Sequence, residues 1–143
     1  MAIKQLTVFV ENKPGALVSI TETLSAHNIN LRALSIAETE EFGILRLIVN
    51  DETTAEKLLS DEGYLIKITE VVGIKIGDEP GKLSGALKVL DENRINMEYL
   101  YAFMARTEKH AYVVIRVENN AAAEAALVSA GYKLITEADI NKL

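Results

Sequence analysis

Cysteine is absent from this chain of 143 residues, and proline occurs only twice, at positions 14 and 80. Without cysteine there is no disulfide framework, no thiol chemistry and no thiolate metal site. The opening sequence, MAIKQLTVFVEN, lacks the basic and long apolar segments of a signal peptide. Charged residues interrupt every apolar run before it reaches the length of a membrane span. These absences predict a cytoplasmic protein with no membrane partner.

Basic residues are too few and too scattered to form a nucleic-acid surface. Lys and Arg number 15 against 21 Asp and Glu, which gives a net charge of −6 at pH 7. No stripe of positive charge is available to neutralise a phosphate backbone. Hydrophobic residues make up 49% of the chain and charged residues 25%, the composition of a packed globular protein. We therefore expect a packed hydrophobic core and no nucleic-acid partner.

The two halves of the chain repeat one another. The segment NKPGAL at 12–17 recurs as DEPGKL at 78–83, and the pair Ile-Asn at 29–30 recurs at 95–96, each 66 positions later. The pair Gly-Tyr at 63–64 recurs 68 positions later. A repeat of this length predicts two domains, residues 1–69 and 70–143, each near the smallest size that supports a core of its own.

Strand and helix periodicities alternate within each half. Leu6, Val8 and Val10 alternate like one buried face of a strand, and Leu17, Ile20 and Leu24 then follow at helical spacing. Pro14 is expected in the first turn of that helix, where its missing N–H is not needed, and Pro80 in the matching helix. Each half therefore opens with a strand followed by an amphipathic helix.

A hairpin, a second helix and a last strand complete each half. Segments rich in Ile, Leu and Val predict hairpin strands at 29–39 and 43–50, with a turn at 39–43, and at 96–106 and 110–118. Helices are expected at about 54–62 and 120–130, each closed by glycine. The order is βαββαβ twice. It predicts an α+β fold of two ferredoxin-like units, with antiparallel sheets and helices on one face.

The sequence indicates a ligand-binding site at the Pro-Gly turns. A strand that turns straight into a helix leaves the first helical N–H groups free, and such groups attract anions. A ligand can approach the backbone closely at Gly15 and Gly81. Asn30, which opens the strand after the helix, is expected to approach the same end of the sheet as Asn12 and to complete a small polar site. Pro-Gly and Asn are also ordinary turn residues, and duplication copies turns as faithfully as it copies sites.

The segments VENKPGAL and HNINLRALSI in the first half, and IGDEPGKL and NRINMEYLYA in the second, resemble the ACT domain. This is a regulatory module of enzymes of amino-acid metabolism and of some transcription factors. The resemblance implies that an amino acid or similar effector binds at interfaces between modules, through the first loop and the start of the second strand. The candidate effector-binding residues are therefore Asn12, Lys13, Pro14, Gly15, Ala16, Leu17 and Asn30, with Asp78, Glu79, Pro80, Gly81, Lys82, Leu83 and Asn96 in the second half.

Asp78 departs from the repeat, because it replaces the Asn of the first half. Its negative charge would repel the carboxylate of an amino acid and favour the ammonium. We therefore expect the Asn12 site to bind the carboxylate end more favourably than the Asp78 site.

Other reactive residues have ordinary explanations. His27 and His110 lack further ligands at metal spacing, so no metal is expected. The carboxylate pairs at 40–41 and 61–62 fall in predicted turns, where solvation explains them better than acid–base chemistry. No catalytic triad or phosphate-binding loop can be assembled. We therefore predict that the chain is not an enzyme and needs no cofactor.

Three hypotheses of function follow. The first is a non-catalytic protein that binds a free amino acid or related effector between its ACT-like units. The alternative is a regulatory subunit of an amino-acid biosynthetic enzyme such as acetohydroxyacid synthase, because the first half also resembles the leading module of those subunits. An enzyme of unrecognised type comes third. A homodimer is expected, since sheet edges and Phe9, which corresponds to the solvated Lys75, need covering.

Overall fold

The computed structural model of this protein describes residues 3–39, 41–105 and 109–143. The predicted turn residue Glu40 and the centre of the second predicted hairpin turn, 106–108, lie outside the described residues. In chain order the elements are β1 (Ile3–Glu11), α1 (Ala16–Ala26), β2 (Leu31–Glu38), β3 (Phe42–Val49), α2 (Glu52–Asp61), β4 (Leu65–Gly77), α3 (Lys82–Glu92), β5 (Met97–Ala102), β6 (His110–Val117), α4 (Asn120–Ser129), β7 (Lys133–Leu134) and α5 (Glu137–Ile140).

Contacts within the chain divide it into two units. The first unit is Lys4–Thr69, and the second unit is Glu70–Leu143 together with Ile3 from the start of the chain. Strand β4 is shared, because Thr69 ends the first unit and Glu70 begins the second. The division into the independently folding domains 1–69 and 70–143 stays a prediction.

The first unit has the strand order β2-β3-β1-β4. Strand β3 runs antiparallel to both β1 and β2, so that Leu47 lies opposite Leu6 on one side and Leu34 on the other. The alternating residues of β1 that were predicted to be buried pack on α1 and α2 in one core. Burying a Leu or Ile side chain contributes roughly 1.5–3 kcal/mol, and Ile20 and Leu24 supply this from α1.

The second unit repeats this arrangement with the order β5-β6-β4-β7. Its core contains Val72, Ile74 and Ile76 from β4, and α3 and α4 cover the same face. Each helix contributes one Ala and one Leu to the buried set. The βαββαβ order occurs twice, and the predicted α+β ferredoxin-like fold is confirmed.

The C-terminal segment differs from the repeat. The last strand, β7, has only two residues, and the unpredicted helix α5 follows it. Thr136 caps α5 by accepting a hydrogen bond from the Asp139 N–H, and the Asp139 carboxylate accepts one from the Thr136 N–H. A Thr followed three residues later by an acidic residue is the sequence signature of such a capping box, so α5 was detectable. None of the helices in the described ranges is long and apolar enough to cross a membrane.

Candidate effector site

The Pro-Gly pair forms a turn before α1. Gly15 has φ 86° and ψ −11°, the values of the third position of a type II turn, and the Ala16 N–H donates to Lys13 O at 3.4 Å. Pro14 therefore occupies the second position of this turn and precedes the helix. The expectation that Pro14 lies in the first helical turn is wrong, because the left-handed Gly15 separates them.

The same turn precedes α3. Gly81 has φ 89°, and the Lys82 N–H donates to Glu79 O at 3.2 Å. Pro80 is therefore a turn residue as well, and its predicted place in the first helical turn is also wrong. Glycine is required at both positions by backbone conformation, because residues with a Cβ rarely adopt this region. No atom would lie within 4 Å of an added Cβ at either glycine, so the space above both turns is open.

These two helices begin differently from the others. Side chains cap α2, α4 and α5 through Asp51, Asn119 and Thr136. No side chain caps α1 or α3. Among the described residues, the N–H groups of Leu17 and Val18 in the first turn of α1 have no acceptor. Helix N–H groups left free in this way carry partial positive charge and attract anions.

A cleft of about 480 Å³ opens beside the first turn in the first unit. It contains four predicted residues, Lys13, Pro14, Gly15 and Ala16. The other lining residues are Phe9, Glu11, Ser19, Glu62, Gly63 and Tyr64. Asn12, Leu17 and Asn30 are predicted site residues that do not line it. The cleft therefore lies between the β1–α1 turn and the segment that connects α2 to β4.

Both signs of charge border this cleft. Lys13 Nζ lies 3.1 Å from Glu11 Oε2, so these two exposed groups form an ion pair at the rim. Glu62 accepts a hydrogen bond from Thr23 Oγ1 at 2.7 Å, which orients its carboxylate. The start of α1 borders the cleft through Ala16, whereas Leu17 and Val18, which carry the free N–H groups, do not line it. The cleft therefore offers Lys13 and the positive end of the α1 dipole to a carboxylate, and Glu11 and Glu62 to an ammonium.

The cleft of the second unit has the opposite charge balance. About 650 Å³ in volume, it is lined by Glu79 and Lys82 from the predicted set, by Gly131 and Tyr132, and by further basic residues. These are Lys75, Lys109, Lys133 and His110. Asp78, Pro80, Gly81, Leu83 and Asn96 do not line it. Asp78 is expected from the sequence to disfavour a carboxylate here. The lysines that line the cleft would instead attract one. The weaker binding of a carboxylate in the second unit stays a prediction.

Asn12 and Asn30 lie at opposite ends of the first unit's sheet. The Asn12 N–H donates to the O atom of Glu41, just before β3, at 3.4 Å. The Asn30 N–H donates to Oδ1 of Asn50, just after β3, at 3.0 Å. Since β3 has 8 residues, the two sites are separated by about 25 Å. The expected approach of Asn30 to Asn12 within one unit is wrong, because α1 returns the chain to the end of the sheet where β1 begins.

The second unit separates its matching residues in the same way. The Asp78 N–H donates to Lys109 O at 2.9 Å, next to the first residue of β6. Asn96 precedes Met97, which lies opposite Val117 at the far end of β6. Leu83 packs on the core of its unit, whereas its counterpart Leu17 in the first unit is exposed.

Sequence reasoning missed Glu11, Ser19 and Glu62 as cleft residues, and it treated the Gly-Tyr pair at 63–64 only as a marker of the repeat. The recurrence of this pair was the one available signal, because Tyr64 and Tyr132 each border the cleft of their unit. The glutamates carried no such signal.

The histidines serve other roles. His27 ends α1, and its Nδ1 lies 3.0 Å from Thr23 O. His110 is the first residue of β6 and lines the second cleft. Within the described parts of the chain, no group of three His, Cys, Asp or Glu residues is placed to hold a metal ion.

Comparison with known proteins places this arrangement in a family. The sequence matches the family described as an ACT domain pair over residues 1–143. The chain belongs to this family. The match covers both repeats, so the resemblance noted from the Pro-Gly and Ile-Asn segments is confirmed.

Three similar proteins are informative for this ACT domain pair. A crystal structure of a Bacteroides thetaiotaomicron protein is 41% identical, covers 100% of this chain and 98% of its own, and has a TM-score of 0.93. The ligand-free regulatory subunit of aspartate kinase from Thermus thermophilus has a TM-score of 0.67 at 15% identity, over 91% of this chain and 93% of its own, and shares the fold.

The acetolactate synthase small subunit of Mycobacterium avium is 26% identical over 87 residues, which are 59% of this chain and 52% of that protein. The match thus spans about half the length of this curated relative.

Proposed function

We propose that this ACT domain pair is a non-catalytic regulatory protein that binds a free amino acid or closely related effector in the first unit's cleft. The observation that supports this most directly is the combination of an uncapped α1 with the carboxylates of Glu11 and Glu62 around one open cleft. An α-amino acid carries the complementary pair of charges on adjacent atoms. A simple anion or a simple cation would meet only one of these partners.

Each part of the amino acid would contact a different part of the cleft. The effector's carboxylate lies at Lys13 and the start of α1, where the helix dipole favours negative charge. Its ammonium donates to Glu62, which Thr23 already orients. Phe9 and Tyr64 supply apolar surface for the side chain. The open rim at Gly15 lets the ligand reach the backbone.

Asn30 can join this site only from a second chain. Within its own unit it lies about 25 Å from Asn12, beyond the reach of one small ligand. A homodimer that brings the β2 edge of one chain to the β1–α1 turn of the other would unite Asn12 and Asn30. Effector binding would then be coupled to association of the two chains, and a regulated enzyme would respond to the change in association.

A calorimetric titration after a thermal-shift survey of the twenty amino acids tests the proposal. An amino acid that binds only the folded protein raises its melting temperature, by an amount that grows with RT ln(1 + [L]/Kd). Glu62→Gln should weaken the best ligand about tenfold, because an ammonium loses its charged partner. The amide of that amino acid, which lacks the carboxylate, should bind more weakly to the parent protein.

Glu22→Gln is the matched control. It removes the same charge from the exposed surface of α1, and Glu22 does not line the cleft. Its affinity should stay within about twofold of the parent. If no amino acid changes the melting temperature, or if both variants lose affinity equally, this cleft is not an amino-acid site.

The second candidate function is a subunit that regulates a biosynthetic enzyme. The 26% identity to the acetolactate synthase small subunit favours it. Tagged protein isolated from its native cells would then bring down a larger catalytic subunit in a fixed ratio, and the effector would change that enzyme's rate. Isolation of the chain alone under gentle conditions would favour the stand-alone protein.

A further inference from the structure

Three lysines border a cavity of about 340 Å³ in the second unit that the proposed effector site does not use. Lys75 comes from β4, Lys133 from β7, and Lys142 from the segment after α5. The helix-covered core uses Ile74 and Ile76 of β4, so Lys75 lies on the opposite face. A Cβ on Gly73, two residues earlier on that face, would meet Ile135 at 3.1 Å. The C-terminal segment therefore forms one wall of this cavity.

The strand register places two of these lysines side by side. Lys75 lies directly opposite Lys133 on one neighbouring strand and directly opposite Tyr112 on the other. Like charges at directly opposed positions of antiparallel strands destabilise a sheet. Within the described residues, neither ammonium forms an ion pair within 4.0 Å, although Asp139 attracts Lys133. The sheet thus holds an unfavourable charge pair beside a cavity.

Asp139 is the acidic side chain that lines the cavity, and it is already engaged. Its Oδ2 accepts hydrogen bonds from the N–H and the hydroxyl of Thr136, at 2.9 and 3.0 Å. These bonds lower the pKa of Asp139 below its usual 3.8, and the charges of Lys133 and Lys142 lower it further. Lys133 and Lys142 thus act on one carboxylate that also caps α5, and Lys75 lines the same cavity, so lysine side chains outnumber acidic side chains in its lining.

We propose that this cavity binds a small polyanion, a metabolite with phosphate or several carboxylate groups, which bridges Lys75, Lys133 and Lys142 while Tyr112 offers its hydroxyl. The repulsion between Lys75 and Lys133 then becomes shared attraction to one ligand. The chain as a whole carries −6, so this positive pocket is a local feature.

The cavity distinguishes the two units. The repeat places Phe9 where the second unit has Lys75, and α5 has no counterpart in the first unit. The same turn chemistry therefore recurs in both units, whereas Lys75 and α5, which border the lysine cavity, have no counterpart among the described residues of the first unit. An ACT domain pair with this feature responds to two kinds of ligand, a zwitterion in the first unit and a polyanion in the second.

Calorimetric titration of the full chain with pyrophosphate, and separately with citrate, in roughly 20 mM salt tests the proposal, because weak screening preserves the charge attraction. One molecule should bind per chain. Lys142→Gln and Lys133→Gln should each weaken binding about tenfold. Binding of pyrophosphate alone assigns the site to phosphorylated ligands, and binding of both assigns it to polyanions in general.

Two variants locate the binding. Lys57→Gln removes an equal charge from α2 in the first unit, and affinity should stay within about twofold of the parent. Lys109→Gln removes a lysine that lines only the cleft beside α3, whereas Lys142 lines only the cavity. Loss of affinity in Lys109→Gln without loss in Lys142→Gln would place the anion in that cleft and overturn the proposal. Equal losses in all variants, or no heat with either probe, would overturn it too.

Discussion

Gly15→Ala measures how much stability depends on glycine in the left-handed backbone of the turn before α1. Gly15 holds φ at 86°, and nothing lies within 4 Å of the Cβ that alanine would add. The substitution therefore adds no steric contact, and its whole cost is the strain of a Cβ in left-handed backbone, about 1–2 kcal/mol. Alanine also restricts the unfolded chain, which offsets part of this cost. We expect a net loss of about 1 kcal/mol in the free energy of unfolding.

Urea unfolding followed by circular dichroism measures this loss. With a slope of about 2 kcal/mol per molar urea, the midpoint should fall by roughly 0.5 M without a change in slope. Gly15→Asn is the matched control, because asparagine tolerates left-handed backbone better although its side chain is larger. It should cost less than alanine. A parent-like midpoint for Gly15→Ala, or a larger loss for asparagine than for alanine, would refute the strain argument.

Two further predictions concern the C-terminal segment. Gly73→Ala should destabilise the protein by about 1–3 kcal/mol, measured by the same urea method, because its Cβ would meet Ile135 at 3.1 Å and Ile3 at 3.2 Å; a neutral result would mean that this face is loosely packed. Hydrogen bonds from Thr136 lower the pKa of Asp139 below 3.8. The ionised Asp139 carboxylate therefore contributes fully to stability above pH 3.8, and this contribution disappears as pH falls through the lower pKa of the folded state. Protection of the Ile140 N–H against hydrogen exchange, corrected for the intrinsic exchange rate at each pH, should therefore fall in acid, and Asp139→Asn should remove this pH dependence.

Local patterns predicted the elements because strand and helix periodicities are short-range properties. Alternation at Leu6, Val8 and Val10 identified β1, and these three side chains are in the core. The repeat then predicted the second unit from the first. The same reasoning overlooked α5, which has only 4 residues and no apolar periodicity to detect. Its capping residues were the only local signal.

The Pro-Gly pair shows where a correct motif was given the wrong local geometry. Proline at the first helical position and proline at the second position of a type II turn look alike in sequence. The left-handed φ of Gly15 distinguishes them, and it puts Pro14 before the helix. The free helical N–H groups follow from either arrangement, so the anion-binding prediction did not depend on this choice.

The sequence by itself determined the repeat, the order of strands and helices, the resemblance to ACT domains and the turn that leaves two helices uncapped. Each of these depends on residues close together in the chain. Only the tertiary structure decided which side chains meet: it separated Asn12 from Asn30, placed Glu62 beside the first turn, and gathered Lys75, Lys133 and Lys142 around one cavity. Such meetings depend on strand direction and register, which join residues far apart in sequence and leave no periodic trace in it.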